Sequence, residues 1–555
     1  MTAVSFTDRF TAVNPKSSLQ PGGIPVQTTY DYVVVGAGSA GCIIANRLSA
    51  TGASVLVLEA GDSDRHFWAR LPVGYFKMIY NPRFSRIFDT EPSAGTAGRN
   101  VQWPRGRIIG GSSTINGLIY IRGQHADFDD WESLGATGWS FKDCLPYFKS
   151  LETNAAGASE LRGDTGPMGA DDLRMHHPAC DAWLQAAQQW GLPFNPDFNG
   201  QEAYGAGRYQ LSIKGHWRCS SARAFLVPAM RHHNVTVASG SLVEKVVITG
   251  GRATGVIYSQ RGIRHQVSAA KVVLCAGALQ SPQLLQLSGV GPAAVLKAAG
   301  VDVVVDSPQV GENLQDHYQM RYLLRMKNGL SLNKASRNPL SLLGMGLQWL
   351  LTARGPLTVG AGQVGAAIRT QHTEGDRPDV QLLVMPLSVD KPGERLHDYP
   401  GFTGAIWQCH PHSRGTLAIT SADPARQPRI QPNYLQAEHD RKVIVEGVKA
   451  MREICAQAPF KGLWSEEVHP GVDVRSDEQI LQSVAGSAVT VFHPVGTCRM
   501  GSDHAAVVDP ELRVRGVDDL YVVDASVMPK ITSANTNAPT LMIGEKGAAH
   551  ILSHR

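Results

Sequence analysis

Residues 32 to 59 constrain the fold of this chain more than any other stretch of its 555 residues. Tyr32-Val33-Val34-Val35 is a run rich in β-branched residues, the texture of a strand buried in a parallel sheet. It leads directly into Gly36-Ala37-Gly38-Ser39-Ala40-Gly41, and a helix is expected from Ala40 to Ala50. A second strand over Ser54 to Leu58 ends at Glu59, 18 residues after Gly41. Strand, glycine turn, helix, strand and acid follow the order of a doubly wound sheet that holds a dinucleotide. The glycines permit a tight turn and bring backbone N–H groups and the helix N-terminus toward a pyrophosphate. Glu59 can accept hydrogen bonds from a ribose, and no Arg directly follows it to receive a 2′-phosphate, which disfavours NADP.

The rest of that sheet must come from distant segments. Lys271 to Gly277 and Leu520 to Asp524 both read as buried strands. Residues 378 to 420 differ: Val380 to Val384 and Gly415 to Ile419 alternate apolar and polar positions between turns, which predicts an antiparallel sheet walling a substrate cavity. The expected class is α/β, α+β overall, with a Rossmann-like domain built from discontinuous segments and a substrate domain whose antiparallel sheet is flanked by helices. The expected division is an N-terminal arm over 1–29, a dinucleotide domain over 30–160, 216–317 and 502–555, and a substrate domain over 161–215 and 318–501. Leu340 to Leu351 is an apolar stretch containing Trp349, too short to cross a bilayer. A helix packed in the second lobe is the first expectation for it, and a monotopic patch that meets a membrane quinone is the second.

Composition removes several function classes. Lys plus Arg total 52 against 48 Asp plus Glu, without a basic block, so no nucleic-acid partner is expected. The eight cysteines are scattered without a C-x-x-C pair, which argues against a metal site or a disulfide framework and fits a reducing compartment. The first 29 residues hold no apolar run of the signal-peptide kind, so a cytoplasmic location is expected, with membrane association through 340–351 as the alternative.

Trp103 to Gly117 decides between a nicotinamide and a flavin. It joins Arg105 and Arg107 to the pair Gly110-Gly111 and to hydroxyl side chains, a set that can surround phosphates and lie flat against a ring system. A nicotinamide dehydrogenase needs no such segment. Gly277 to Gly291 adds a strand end, a helix start and another glycine turn. Together with Tyr32 to Gly61, Arg105 to Arg122, Val310 to His317 and His493 to Lys546, these segments resemble the signatures of the glucose-methanol-choline oxidoreductases, in order and over nearly the whole chain. Phe492 to Gly501 and Asn535 to Thr540 are similar to the bacterial branch that holds choline dehydrogenase and aliphatic alcohol dehydrogenases.

The resemblance implies bound FAD. It puts Gly36, Gly38, Ser39, Ala40 and Gly41 near the pyrophosphate, Glu59 and Ala60 at the adenosine ribose, and Val243 against adenine. Arg107, Gly110, Gly111, Asn116, Gly117, Leu118 and Ile119 would follow the flavin, with Asp524, Ala525 and Thr540 at the ribityl chain and the pyrimidine end. His493 would be the catalytic base and Asn537 the hydrogen-bond partner of the developing alkoxide. An imidazole titrating near neutrality suits removal of a hydroxyl proton before hydride leaves for flavin N5. Some family members attach FAD through a histidine just before the Asn of the Gly110-Gly111 segment, but here that position is Ile115, so non-covalent FAD is expected.

The implied reaction is oxidation of a primary alcohol to the aldehyde, with electrons passed to a quinone-like acceptor or to O2. The alternative is the family's hydroxynitrile lyases, whose flavin does no redox work. A neutral alcohol is the expected substrate. Choline would require an aromatic cage and a carboxylate, and Trp349, Trp407 and Phe492 are the aromatic candidates. Oligomeric state is not legible.

Overall fold

A computed structural model describes residues 28–327, 329–391 and 393–554. Of the expected N-terminal arm, 1–27 lies outside the described residues, and Thr29 already begins the first strand. Val235–Ser239, Val55–Glu59, Thr29–Val35 and Ile263–Leu274 lie side by side in parallel. All five residues of Val55–Glu59 are buried, as a parallel sheet covered on both faces requires. The helix Ser39–Ser49 packs on this sheet and against the helix Asn537–Ser553. Those helices meet closely, since a Cβ on Gly544 would stand 3.0 Å from the Ala40 Cα. Ile263–Leu274 is long enough, at 12 residues, to serve further partners. Its first half pairs antiparallel with Arg252–Gln260, and its end pairs parallel with Leu520–Val522.

The second sheet is antiparallel and runs in the order Trp464–His469, Tyr318–Met326, Gly401–Gln408, Val380–Met385, Val364–Ile368, Gly205–Arg208. Side chains alternate between its faces. Tyr322, Leu324, Leu382, Phe402 and Ile406 share a core with the helix Glu438–Cys455. Gly447 lets that helix approach, because a Cβ there would meet Ile406 at 2.8 Å. Gln319, Arg321, Leu383, Ala405 and Trp407 occupy the opposite face and line a cavity.

Val380–Met385 lies in this antiparallel sheet as expected, and its polar Gln381 is buried and donates to the Tyr209 hydroxyl. Two expectations need correction. Thr416–Ala418 lies outside the large sheet and pairs with Arg429–Gln431, while the Leu417 N–H donates to Gly311 and its carbonyl accepts from Gln286. The helix Pro339–Thr352 is not packed in the second lobe. Leu340 and Leu351 are each 78% exposed and Leu343 is 62% exposed, whereas Trp349 is buried edge-on against Trp217. Among the described residues no helix is long and apolar enough to cross a membrane. All eight cysteines are buried and free.

Candidate active site

One cavity is lined from both sheets, with Glu59, His493 and Arg321 in its walls. On the parallel-sheet side the backbone itself forms a cradle. Gly36 has φ +101°, and a Cβ there would stand 2.6 Å from the Cys275 carbonyl oxygen, so the turn admits glycine alone. Gly111 comes so near Gly38 that a Cβ would meet the Gly38 Cα at 2.7 Å. The Ala37 and Gly61 N–H groups donate to Glu59 at 2.9 and 2.8 Å and fix its carboxylate at the cavity wall. Burial pushes the Glu59 carboxyl up to about 7, opposed by those two donors and by Arg107. Asp524 accepts from the Gly277 N–H at 2.8 Å and the Ser281 hydroxyl at 2.5 Å, tying the end of Leu520–Val522 to the glycine turn at Gly277. Space that a Cβ would fill, beside N–H groups at a helix start, suits a dinucleotide.

Gly36, Gly38, Ser39, Ala40, Glu59, Ala60, Arg107, Gly111, Asn116, Gly117, Leu118, Ile119, Val243, Asp524, Ala525, Asn537 and Thr540 all line this cavity. Gly41 and Gly110 do not line it, and each has a packing role. A Cβ on Gly41 would stand 2.0 Å from the Gly36 carbonyl oxygen, so Gly41 lets the helix close on the turn from behind. Gly110, at φ +89°, donates its N–H to the Ala37 carbonyl at 2.7 Å and holds the flavin segment against that turn.

The second site feature is a chain of imidazoles. Phe492 has φ +68°, an uncommon backbone state for a bulky residue, and this bend delivers His493 to the cavity. Arg105 Nη1 donates to the Phe492 carbonyl at 2.7 Å, and the His493 N–H donates to Asp316 at 2.8 Å. His317 Nε2 lies 2.9 Å from the Cys409 carbonyl, and His317 Nδ1 lies 3.0 Å from His493 Nδ1. A carbonyl only accepts, so the network assigns the proton of a neutral His317 to Nε2 and leaves its Nδ1 as an acceptor. His493 Nδ1 then donates to it, and His493 Nε2 is left as an acceptor facing the cavity. Burial, His317 and Arg105 hold His493 well below the ordinary imidazole value, and burial takes His317 down to about 4. Both rings are therefore neutral at physiological pH.

Asn535, not Asn537, reaches that acceptor. Asn535 Nδ2 lies 3.1 Å from His493 Nε2, while its Oδ1 is buried without a partner among the described residues. Asn537 is already the first residue of the helix Asn537–Ser553, and its Oδ1 accepts from the Ser39 hydroxyl at 2.8 Å. The helix start turns it toward the cradle and away from the imidazole. Trp407 and Phe492 line the cavity; Trp349 does not. Sequence reasoning missed Asn535 and the role of His317, although His317 closes the Val310 to His317 motif and could have been found there. Glu374, His412 and His439 bring potential ligand atoms within 4.8 Å of one another, but none of the three lines the cavity.

Two segments, 30–319 and 411–544, match the GMC oxidoreductase family models. The chain belongs to the GMC oxidoreductase family. It is 39% identical over 540 residues to an oxygen-dependent choline dehydrogenase of Photobacterium profundum, covering 95% of this chain and 94% of the relative. It is 38% identical over 529 residues to an alcohol dehydrogenase [acceptor] of Pseudomonas putida, covering 94% and 96%. The crystal structure of pyridoxine 4-oxidase from Mesorbium loti superposes with a TM-score of 0.85 at 32% identity, over 95% of this chain and 100% of that one. This GMC oxidoreductase is thus an FAD enzyme acting on CH–OH donors. FAD is bound non-covalently: Ile115 stands in the cavity wall and offers no nucleophile for a covalent link.

Proposed function

We propose that this enzyme oxidises a primary alcohol to the aldehyde, with His493 Nε2 accepting the hydroxyl proton. FAD, when bound, accepts the hydride that leaves the carbinol carbon. The observation that carries the reading is the chain from the Cys409 carbonyl through His317 and His493 to Asn535, which fixes His493 Nε2 as an unprotonated acceptor at the cavity, with the Asn535 amide beside it. A positioned general base contributes ~10²- to 10⁴-fold to such a step. Asn535 Nδ2 is placed to donate to the alkoxide oxygen once Nε2 has taken the proton. Segments 30–160, 216–317 and 502–555 hold the cofactor in this reading, and 161–215 and 318–501 supply the wall that faces the alcohol.

The exposed helix favours a lipid-borne quinone as electron acceptor. Pro339–Thr352 carries no charged residue over 14 positions, and Trp217, 41% exposed, lies beside it. Lys334 and Arg354 flank this helix along the chain and Lys214 pairs with Trp217, all three exposed and without an ion-pair partner among the described residues. Leucines and an aromatic flanked by unpaired cations suit a helix lying in the plane of an anionic membrane surface.

The test is an anaerobic titration of the purified holoenzyme with primary alcohols, followed by air. Loss of the oxidised flavin band supports alcohol oxidation, and slow recovery in air with fast recovery by a quinone supports the dehydrogenase. A flavin that no alcohol bleaches favours the lyase reading. Cosedimentation with phosphatidylglycerol vesicles, lost in Leu343→Glu, is expected for the membrane contact; a wild type that stays in the supernatant contradicts it.

A further inference from the structure

Carboxylates are confined to one half of the cavity. Its acidic wall residues are Glu59 and Asp524, and both are engaged by backbone N–H groups of the glycine cradle. The cationic wall residues are Arg105, Arg107 and Arg321. Arg105 holds the Phe492 carbonyl, and Arg107 reaches the Ala60 carbonyl near Glu59. Arg321 has neither duty. It rises from the cavity face of Tyr318–Met326, four residues beyond His317, which at ~3.4 Å per residue is roughly 14 Å along the chain.

Its surroundings lack a counter-charge in contact. Arg321 Nη1 donates to the Val389 and Asp390 carbonyls at 3.0 and 2.8 Å, and no ion pair engages the guanidinium among the described residues. Asp390 and Glu394 attract it from the exposed loop above, and the Asp390 carboxylate is itself paired with His397. Tyr75 and Tyr80 face it from the other side. Tyr75 lines the same cavity, and its buried hydroxyl has no partner among the described residues. A largely enclosed cation without a paired acid is costly unless a ligand supplies the opposite charge.

We infer that Arg321 sets the substrate class: the cavity takes a primary alcohol whose far end, several carbons from the hydroxyl, carries a carboxylate or a similar anionic group. This rests on the alcohol-oxidation reading and replaces the expected neutral alcohol. The guanidinium pairs with the anion, and the Tyr75 hydroxyl is available as a second donor. The same cation repels a quaternary ammonium, so the aromatic residues Trp407 and Phe492 do not form a choline cage here.

The experiment compares kcat/KM of the holoenzyme for 6-hydroxyhexanoate, hexan-1-ol and choline, in wild type, Arg321→Leu, Arg321→Lys and Arg321→Glu. Wild type is expected to prefer the hydroxy acid over hexan-1-ol by about 10- to 100-fold, the scale of a hydrogen bond between charged groups. That ratio should collapse toward one in Arg321→Leu, chiefly through KM, be partly kept in Arg321→Lys, and shift toward choline in Arg321→Glu. Equal use of hexan-1-ol and the hydroxy acid by wild type, or an unchanged ratio in Arg321→Leu, overturns the role of Arg321 while alcohol oxidation stands. Flavin reduction by none of the three overturns both.

Discussion

The two walls of the cavity are built by different means. On the parallel-sheet wall the contacts are made largely by backbone, at glycines whose spacing along a short stretch is fixed by the turn they form. On the antiparallel wall they are made by side chains from Tyr318–Met326, Val380–Met385 and Gly401–Gln408, strands brought together only by folding. A backbone site admits almost no substitution and therefore reads as a motif. A side-chain site on a sheet face can change residue by residue without disturbing the pairing, which lets one fold serve many alcohols.

The sharpest way to break this contrast is to separate glycines that bind from glycines that pack. Gly41→Val should yield little folded protein, because its Cβ would stand 2.0 Å from the Gly36 carbonyl oxygen; thermal unfolding and expression level check this. Gly38→Val should fold, since a Cβ there meets Cys275 O at an ordinary 3.8 Å, but should purify largely without flavin. A Gly38→Val protein with full FAD content would mean that the cradle does not hold the pyrophosphate.

Asn535 and Asn537 sharpen the contrast at the boundary between the walls. Asn535→Ala should slow anaerobic flavin reduction by ~10²- to 10³-fold, the scale of one lost donor to a developing oxyanion. Asn537→Ala should act mainly on FAD affinity, through Ser39, with a smaller effect on the reduction rate at saturating cofactor. Equal rate losses in the two variants would erase the distinction.

The smallest effect expected is on pH. His493 must be neutral to accept a proton, and its surroundings hold it well below 6.5. kcat/KM should therefore be independent of this group above pH 6.5 and fall only as pH drops through the lowered value. The same shift makes the unfolded chain the better proton acceptor below its ordinary value, so this group also subtracts stability as pH falls. An acid limb centred above 7 would contradict the neutral histidine chain.

How much of this was legible follows the same division. The unit from Tyr32 to Glu59 predicts its strands and helix to within three residues at every end, because local sterics and burial agree there. The choice between Asn535 and Asn537 was not legible: two asparagines share one motif, and where the helix begins decides which side chain reaches His493. Arg321 gave no local signal, since Gln319, Arg321 and Arg325 alternate with apolar residues and read equally as a polar face. The helix at 339–352 was apolar enough to suggest burial, and only the packing around Trp349 reveals its leucines as surface.

The most direct test of His493 as base is single-turnover flavin reduction by an alcohol that wild type oxidises, followed without oxygen in wild type and His493→Ala at matched FAD occupancy. A fall of ~10²- to 10⁴-fold in the reduction rate, with flavin still bound, is the predicted result. Reduction at the wild-type rate in His493→Ala would contradict it.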